Sequence, residues 1–155
     1  MSSSQQEIEK TLGYTLHHLA FNMKSVLKQI FKHSGYEITP ESYFLLNLIP
    51  EEGIEQQVLV NKTGKDKAAV TRLLDWLTRQ DWIIRRVVKT NKRKCIVRLS
   101  PEGKKVCTTL NKALANISQP MVKGITSSEL NAMYSGLKQL DENLQRIEDK
   151  LKEKG

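Results

Sequence analysis

The chain has 155 residues, of which 39% are apolar, and a mean hydropathy of −0.46, so it can form one compact domain or a small domain with an elongated helical appendage. No apolar run approaches the ~20 residues of a membrane span, and the polar segment before residue 11 lacks a signal-peptide core, so a cytoplasmic protein away from membranes is expected. Lys and Arg number 25 against 17 Asp and Glu, giving a net charge of +8 and an isoelectric point near 9.5.

That charge is localised. Between Arg85 and Lys105 stand nine basic residues and one acidic residue, Glu102, so this segment alone carries a net +8 and the rest of the chain sums to zero. A solvated face normally intersperses both signs, so the segment reads as a footprint for a polyanion. The two cysteines, Cys95 and Cys107, are too few for a disulfide scaffold, and neither they nor His17, His18 and His33 have metal-ligand spacing. Gly-rich phosphate loops, nucleophile elbows and paired acidic motifs are also missing from the sequence. The expectation is a protein that is not an enzyme and holds neither metal nor cofactor.

In chain order, residues 7 to 34 read as an amphipathic helix, with Ile8, Leu12, Leu16, Leu19, Met23, Val26 and Ile30 at steps of three and four and Gly35 as its stop. Thr39 and Pro40 suit the cap and first position of a second helix, with Ile38 and Tyr43 as a hydrophobic staple. A short helix from about Glu55 to Lys62 breaks at Gly64. Asp66 caps the next, which runs to Gln80 and carries the stripe Val70, Leu73, Leu74 and Leu77. Its opposite face holds Lys67, Ala68, Thr71, Arg72, Asp75 and Arg79. Two helices joined by a tight Gly-containing turn, with small and basic residues opening the second, match a helix-turn-helix.

Trp82 to Lys89 and Lys94 to Leu99 have the β-branched content and alternation of strands, with Thr90-Asn91-Lys92-Arg93 as a basic connecting loop. Ser100 and Pro101 open a further helix that ends near Ser118, before Pro120. The last helix begins with a capping box, Thr126 and Glu129, and a staple, Ile125 and Leu130. Leu130, Met133, Leu137, Leu140, Leu144, Ile147 and Leu151 then alternate steps of three and four, a period of 3.5 that suits a coiled-coil-like seam. Such a seam packs on a partner chain or on the chain's own first helix; both are expected.

This order of elements resembles the MarR/SlyA family of regulators over roughly residues 12 to 148, most specifically from 54 to 103. Asp66-Lys67-Ala68-Ala69-Val70-Thr71-Arg72-Leu73-Leu74-Asp75 is similar to the family's recognition-helix motif. Leu99-Ser100-Pro101-Glu102-Gly103 resembles its Leu-Thr-x-x-Gly, and Leu12-Gly13-Tyr14 its first helix. Asn91-Lys92-Arg93 falls where the family carries Asp-Arg-Arg, so a wing ion pair and one fork-shaped donor are replaced. Asp81 stands where a Gly ends the recognition helix, and Asp tolerates left-handed backbone. Lys65 replaces an apolar residue.

The resemblance implies a mainly α fold with a β-hairpin wing: a single domain over 1–155, its winged helix-turn-helix lobe at about 39–103 and its dimerisation helices at about 7–34 and 101–152. It implies a homodimer on double-stranded DNA, a sequence-specific regulator, most simply a repressor, with Leu12, Leu16, Leu130, Met133, Leu137, Leu140, Leu144 and Ile147 at the dimer contact. DNA contacts are expected from Lys67, Ala68, Thr71 and Arg72 on the recognition helix and from Lys65 just before it, with Arg72 to base or phosphate and Ala68 and Thr71 to a thymine methyl; simple surface filling is an equal reading of Thr71. Lys92 and Arg93 are expected at the minor groove or flanking phosphates, with Lys89, Lys94 and Arg98 on phosphates. Arg85 either joins them or pairs with an acidic residue to brace the hairpin. A small lipophilic or phenolic effector is also implied, with His33, Tyr36 and Tyr43 as candidate wall residues that could instead be ordinary core. Cys107, beside Lys104 and Lys105, is expected to be a buried inert thiol. The competing readings are a non-specific architectural DNA binder or a coiled-coil adaptor.

Overall fold

The computed structural model describes residues 7–155. Helix α1 (Leu12–His33) is followed by α2 (Pro40–Asn47), β1 (Ile54–Glu55), α3 (Gln56–Thr63), α4 (Lys67–Arg79), β2 (Ile83–Val88), β3 (Asn91–Leu99), α5 (Pro101–Met121) and α6 (Ser127–Lys154). The three strands form one antiparallel sheet in the order β1-β3-β2. The chain divides into two compact units, one reaching to Asn116 and the other spanning Ile117–Gly155.

The fold class read from the sequence is the one observed, and most boundaries follow from local chemistry. Thr39 accepts a hydrogen bond from the Ser42 amide and Asp66 one from the Ala69 amide, each satisfying a helix-start donor. At the end of α1, Gly35 has φ +91°, and the amides of Gly35 and Tyr36 return to the carbonyls of Lys32 and Phe31. The same closure recurs at the end of α4 on a residue that is not glycine: Asp81 has φ +59°, and the amides of Asp81 and Trp82 bond Thr78 and Leu77.

Four boundaries differ from expectation. The helix expected from residue 7 is interrupted: Glu7 and Ile8 are helical, Glu9 to Thr11 form a turn, and α1 starts at Leu12, where the Thr11 hydroxyl accepts from the Tyr14 amide and donates to the Ile8 carbonyl. The segment expected as a loop, Thr90 to Arg93, is mostly strand: Lys89 and Thr90 make the turn, Asn91 pairs with Val88, and a register shift between Val87 and Val88 takes up Lys92 to Lys94. Helix α5 runs past Pro120 to Met121, since a proline in the last turn removes only one hydrogen bond. The two-residue strand β1 has too little sequence to show a period.

The core of the first unit gathers Leu27 and Phe31 of α1, Tyr43, Leu45 and Leu46 of α2, Leu59 and Val60 of α3, Val70, Leu74 and Leu77 of α4, Ile83 and Val97 of the sheet, and Val106 and Leu110 of α5. Tyr43 packs on Phe31 at a ring separation of 4.9 Å and donates its hydroxyl to Asn111 Oδ1. Asn111 Nδ2 donates to Asn47 Oδ1, and Asn47 Nδ2 to the Tyr43 carbonyl, so α2 and α5 are cross-linked by a closed polar loop. In the second unit, α6 starts with both halves of its capping box made: Glu129 N donates to Thr126 Oγ1 at 3.1 Å and Thr126 N to Glu129 Oε2 at 2.8 Å.

Candidate nucleic-acid interface

The helix-turn-helix is α3, a left-handed turn at Gly64 (φ +65°), and α4. Three residues of α4, Val70, Leu74 and Leu77, are wholly buried and fix which side of the helix faces outward. Lys67, Ala68 and Arg72 are exposed on that outward side, and Lys65 is exposed in the turn that leads into the helix. Thr71 is half-buried and its hydroxyl donates to the Lys67 carbonyl at 2.8 Å, so what it offers a ligand is its methyl group.

The wing is braced against this helix. Arg85 of β2 places Nη2 2.6 Å from Asp75 Oδ1 of α4, one of the two outcomes expected for this arginine. At the tip, Asn91 Oδ1 accepts from the Arg93 amide at 3.1 Å, so Asn91 supplies local turn chemistry where the family pattern has an aspartate. Lys89, Lys92 and Arg93 are exposed there. Lys94 is partly neutralised by Glu55 of β1, 3.8 Å away. Among the described residues, Lys65, Lys67, Arg72, Lys89, Lys92, Arg93 and Arg98 have no carboxylate at ion-pair distance. The helix face and the wing thus present unpaired cations from one compact unit.

An open cavity of about 740 Å³ lies beside the lobe, walled by Phe21, Lys28 and Lys32 of α1, Tyr36, Ile38 and Trp76 of α4. Of the three candidate wall residues, Tyr36 lines it. His33 is exposed and hydrogen-bonds the Gln29 carbonyl through Nδ1 at 2.7 Å, while Tyr43 belongs to the core. Burial, and secondarily Cys107, raises the Tyr43 hydroxyl above its ordinary value. In the sequence Trp76 only flanks the apolar stripe of α4, and no periodicity or motif marks it as a cavity wall. Lys24 pairs with Glu41 at 3.0 Å; burial pushes Glu41 up, but its own backbone amide and Lys24 outweigh this and hold it below the usual carboxylate value.

Cys107 is buried and its thiol is raised by that burial, while Cys95 is half-buried in β3. The seam residues are uncovered: Leu12 is 60% exposed, Met133, Leu137, Leu144 and Ile147 are 44–54% exposed, and α6 has no buried residue. Leu16, Leu130 and Leu140 are half-buried. Among the described residues, no cluster of His, Cys, Asp and Glu could hold a metal, and no helix is long and apolar enough to cross a membrane.

No protein-family profile matches the chain, and no curated protein matches it. Solved structures do. A mutant MarR from E. coli in complex with operator DNA is 24% identical, with 83% of this chain and 92% of that one covered and a TM-score of 0.75. The transcriptional regulator SlyA is 19% identical, covering 89% and 96% with a TM-score of 0.78. The PcaV regulator of Streptomyces coelicolor, solved with its natural ligand, is 20% identical, covering 85% and 95% with a TM-score of 0.70. The chain has the winged-helix fold of the MarR and SlyA regulators.

Proposed function

We propose that this chain is a transcription regulator that binds double-stranded DNA as a homodimer. The observation that carries the reading is the set of unpaired cations shared by the outer face of α4 and the wing tip, held in one lobe by the Arg85–Asp75 contact. In this mode α4 enters the major groove, with Arg72 and Lys67 on bases or phosphates and Ala68 and the Thr71 methyl against thymine. Lys92 and Arg93 follow the minor groove, and Lys89 and Lys65 neutralise phosphates. The likeness to a MarR bound to operator DNA supports this placement.

A monomer leaves Met133, Leu137, Leu144, Ile147 and Leu151 of the heptad-spaced seam on α6 exposed to water, together with Leu12, Leu19 and Phe21 of α1. Burying such a stripe on a second copy is its simplest use. A two-fold dimer sets two recognition helices roughly 34 Å apart and reads a near-palindrome. The cavity beside Trp76 supports the effector reading, since an occupant would touch the recognition helix itself, and PcaV was solved with a ligand.

Selection of sites from a random duplex pool tests the proposal. An enriched inverted repeat with half-sites one turn apart, bound by a dimer, is the expected result. Equal binding of all duplexes would replace it with a non-specific architectural role, and no duplex binding would leave the coiled-coil adaptor.

A further inference from the structure

The wing has a second surface, of which the DNA reading uses only Arg98. Ile84, Arg86 and Val88 share one face of β2, and Ile96 and Arg98 share the same face of β3. Cross-strand pairing sets Ile84 opposite Arg98 and Arg86 opposite Ile96, so isoleucines and arginines alternate in a checkerboard. An open hollow of about 550 Å³ is lined by these residues together with Val87 and Leu99. Ile84 is 42% exposed, a large value for an aliphatic side chain in a sheet. Arg86 and Arg98 are exposed and have no carboxylate at ion-pair distance among the described residues.

This face continues to an open sheet edge. In the order β1-β3-β2, strand β2 has a neighbour on one side only. Among the described residues, the backbone of Ile83 to Val88 makes no hydrogen bond to any element but β3. An unpaired edge of six residues is a template for one more strand. A duplex backbone would answer the arginines but not the isoleucines, and an apolar ligand would answer only the isoleucines. An extended peptide answers both, and the open edge supplies its main-chain partners.

We propose that the free edge of β2 captures an extended segment of another protein by strand addition. The segment's same-face residues read apolar, acidic, apolar at a spacing of two. The acidic residue meets Arg86, with Arg98 behind it, and the apolar residues flank it against Ile84 and Val88. Because that pattern is symmetric, it fits a parallel or an antiparallel strand equally.

The probe is a fluorescein-labelled peptide, Gly-Ser-Val-Thr-Glu-Thr-Val-Ser-Gly, titrated with the full chain in the absence of DNA. Anisotropy is expected to report saturable binding, weakened about tenfold by Arg86→Glu or by moving the Glu one position along the peptide. N-methylation of one alternating set of peptide amides should abolish binding and of the other set leave it. Hydrogen exchange of Ile83 to Val88 should slow in the complex. Binding that ignores Arg86→Glu, or equal effects of the two methylated sets, overturns the proposal. So does an Arg86→Glu variant that loses duplex affinity while the peptide binds neither protein, which would give this face to DNA. Since the titration contains no DNA, its outcome is independent of whether the chain reads an operator.

Discussion

Arg85 and Asp75 join the wing to the recognition helix through a single 2.6 Å contact, with the arginine side chain 24% exposed and the aspartate 44%. A partly solvated pair adds little to stability, on the order of 0.5–1 kcal/mol. Its larger effect is geometric, since it fixes where the wing tip stands relative to α4. Asp75→Asn should therefore leave the melting temperature within a few degrees but weaken duplex binding several-fold by anisotropy. Equal losses in stability and binding would show that the contact merely holds the fold.

Ion pairing also ranks the wing cations. Lys92 and Arg93 are unpaired, whereas Lys94 already faces Glu55. Each phosphate contact contributes about 0.9 to the slope of log affinity against log salt. Lys92→Ala/Arg93→Ala should lower that slope by about 2, and Lys94→Ala by clearly less than 1. Titrations at four salt concentrations distinguish the three proteins.

Asp81 holds a left-handed conformation at φ +59°. Its contribution to the α4 terminus is through backbone atoms: the amide bonds Thr78, and the carbonyl accepts from the Ser100 hydroxyl at 2.6 Å. Asp81→Gly keeps both and removes the steric penalty of the side chain, so chemical denaturation should show a gain of about 0.5–1 kcal/mol.

Gly103 sits in the first turn of α5 where a Cβ would lie 1.9 Å from the Trp82 carbonyl oxygen. That carbonyl also accepts from the Ser100 amide at 3.0 Å, and Ser100 Oγ accepts from the Gly103 amide at 2.9 Å. Gly103→Ala must push α5 off the wing and should cost about 3 kcal/mol in urea unfolding. A loss below 1 kcal/mol would mean that the junction is far more pliant than this packing implies.

Two buried acids predict an alkaline limit. Burial raises the Cys107 thiol and the Tyr43 hydroxyl above their ordinary values of 9.0 and 10.0. A group raised on folding keeps its full contribution below the unfolded value and loses it as pH climbs through the folded one. Stability should thus be flat to about pH 9 and fall beyond it, with Tyr43→Phe and Cys107→Ser each moderating the fall. At pH 8, half-buried Cys95 should react with a thiol reagent well before Cys107.

The sequence carried most of this architecture because its punctuation is local. Thr39, Asp66 and Thr126 cap the helices they precede, and the stripe Val70, Leu74, Leu77 identifies the buried side of α4 by period alone. The cations of the interface were legible for the same reason, as a run rather than a constellation. What stayed hidden depended on partners distant in sequence. Glu55 and Lys94 meet only because β1 pairs with β3, and Tyr36 reaches Trp82, at 5.9 Å between rings, only once α1 has turned at Gly35. Thr11 sets the start of α1 at Leu12 because an apolar period says where a helix fits, not where a hydroxyl caps its first turn.

The two tryptophans of the chain, Trp76 and Trp82, stand edge to face at 5.5 Å, one on the recognition helix and the other at the entrance to the wing. The chain therefore contains its own optical gauge. Two indoles this close couple their electronic transitions, and the sign and size of the resulting near-ultraviolet dichroism depend on the angle between the rings. Any rotation of α4 against the wing, whether driven by a duplex or by an occupant of the cavity beside Trp76, would be written into that spectrum without a label.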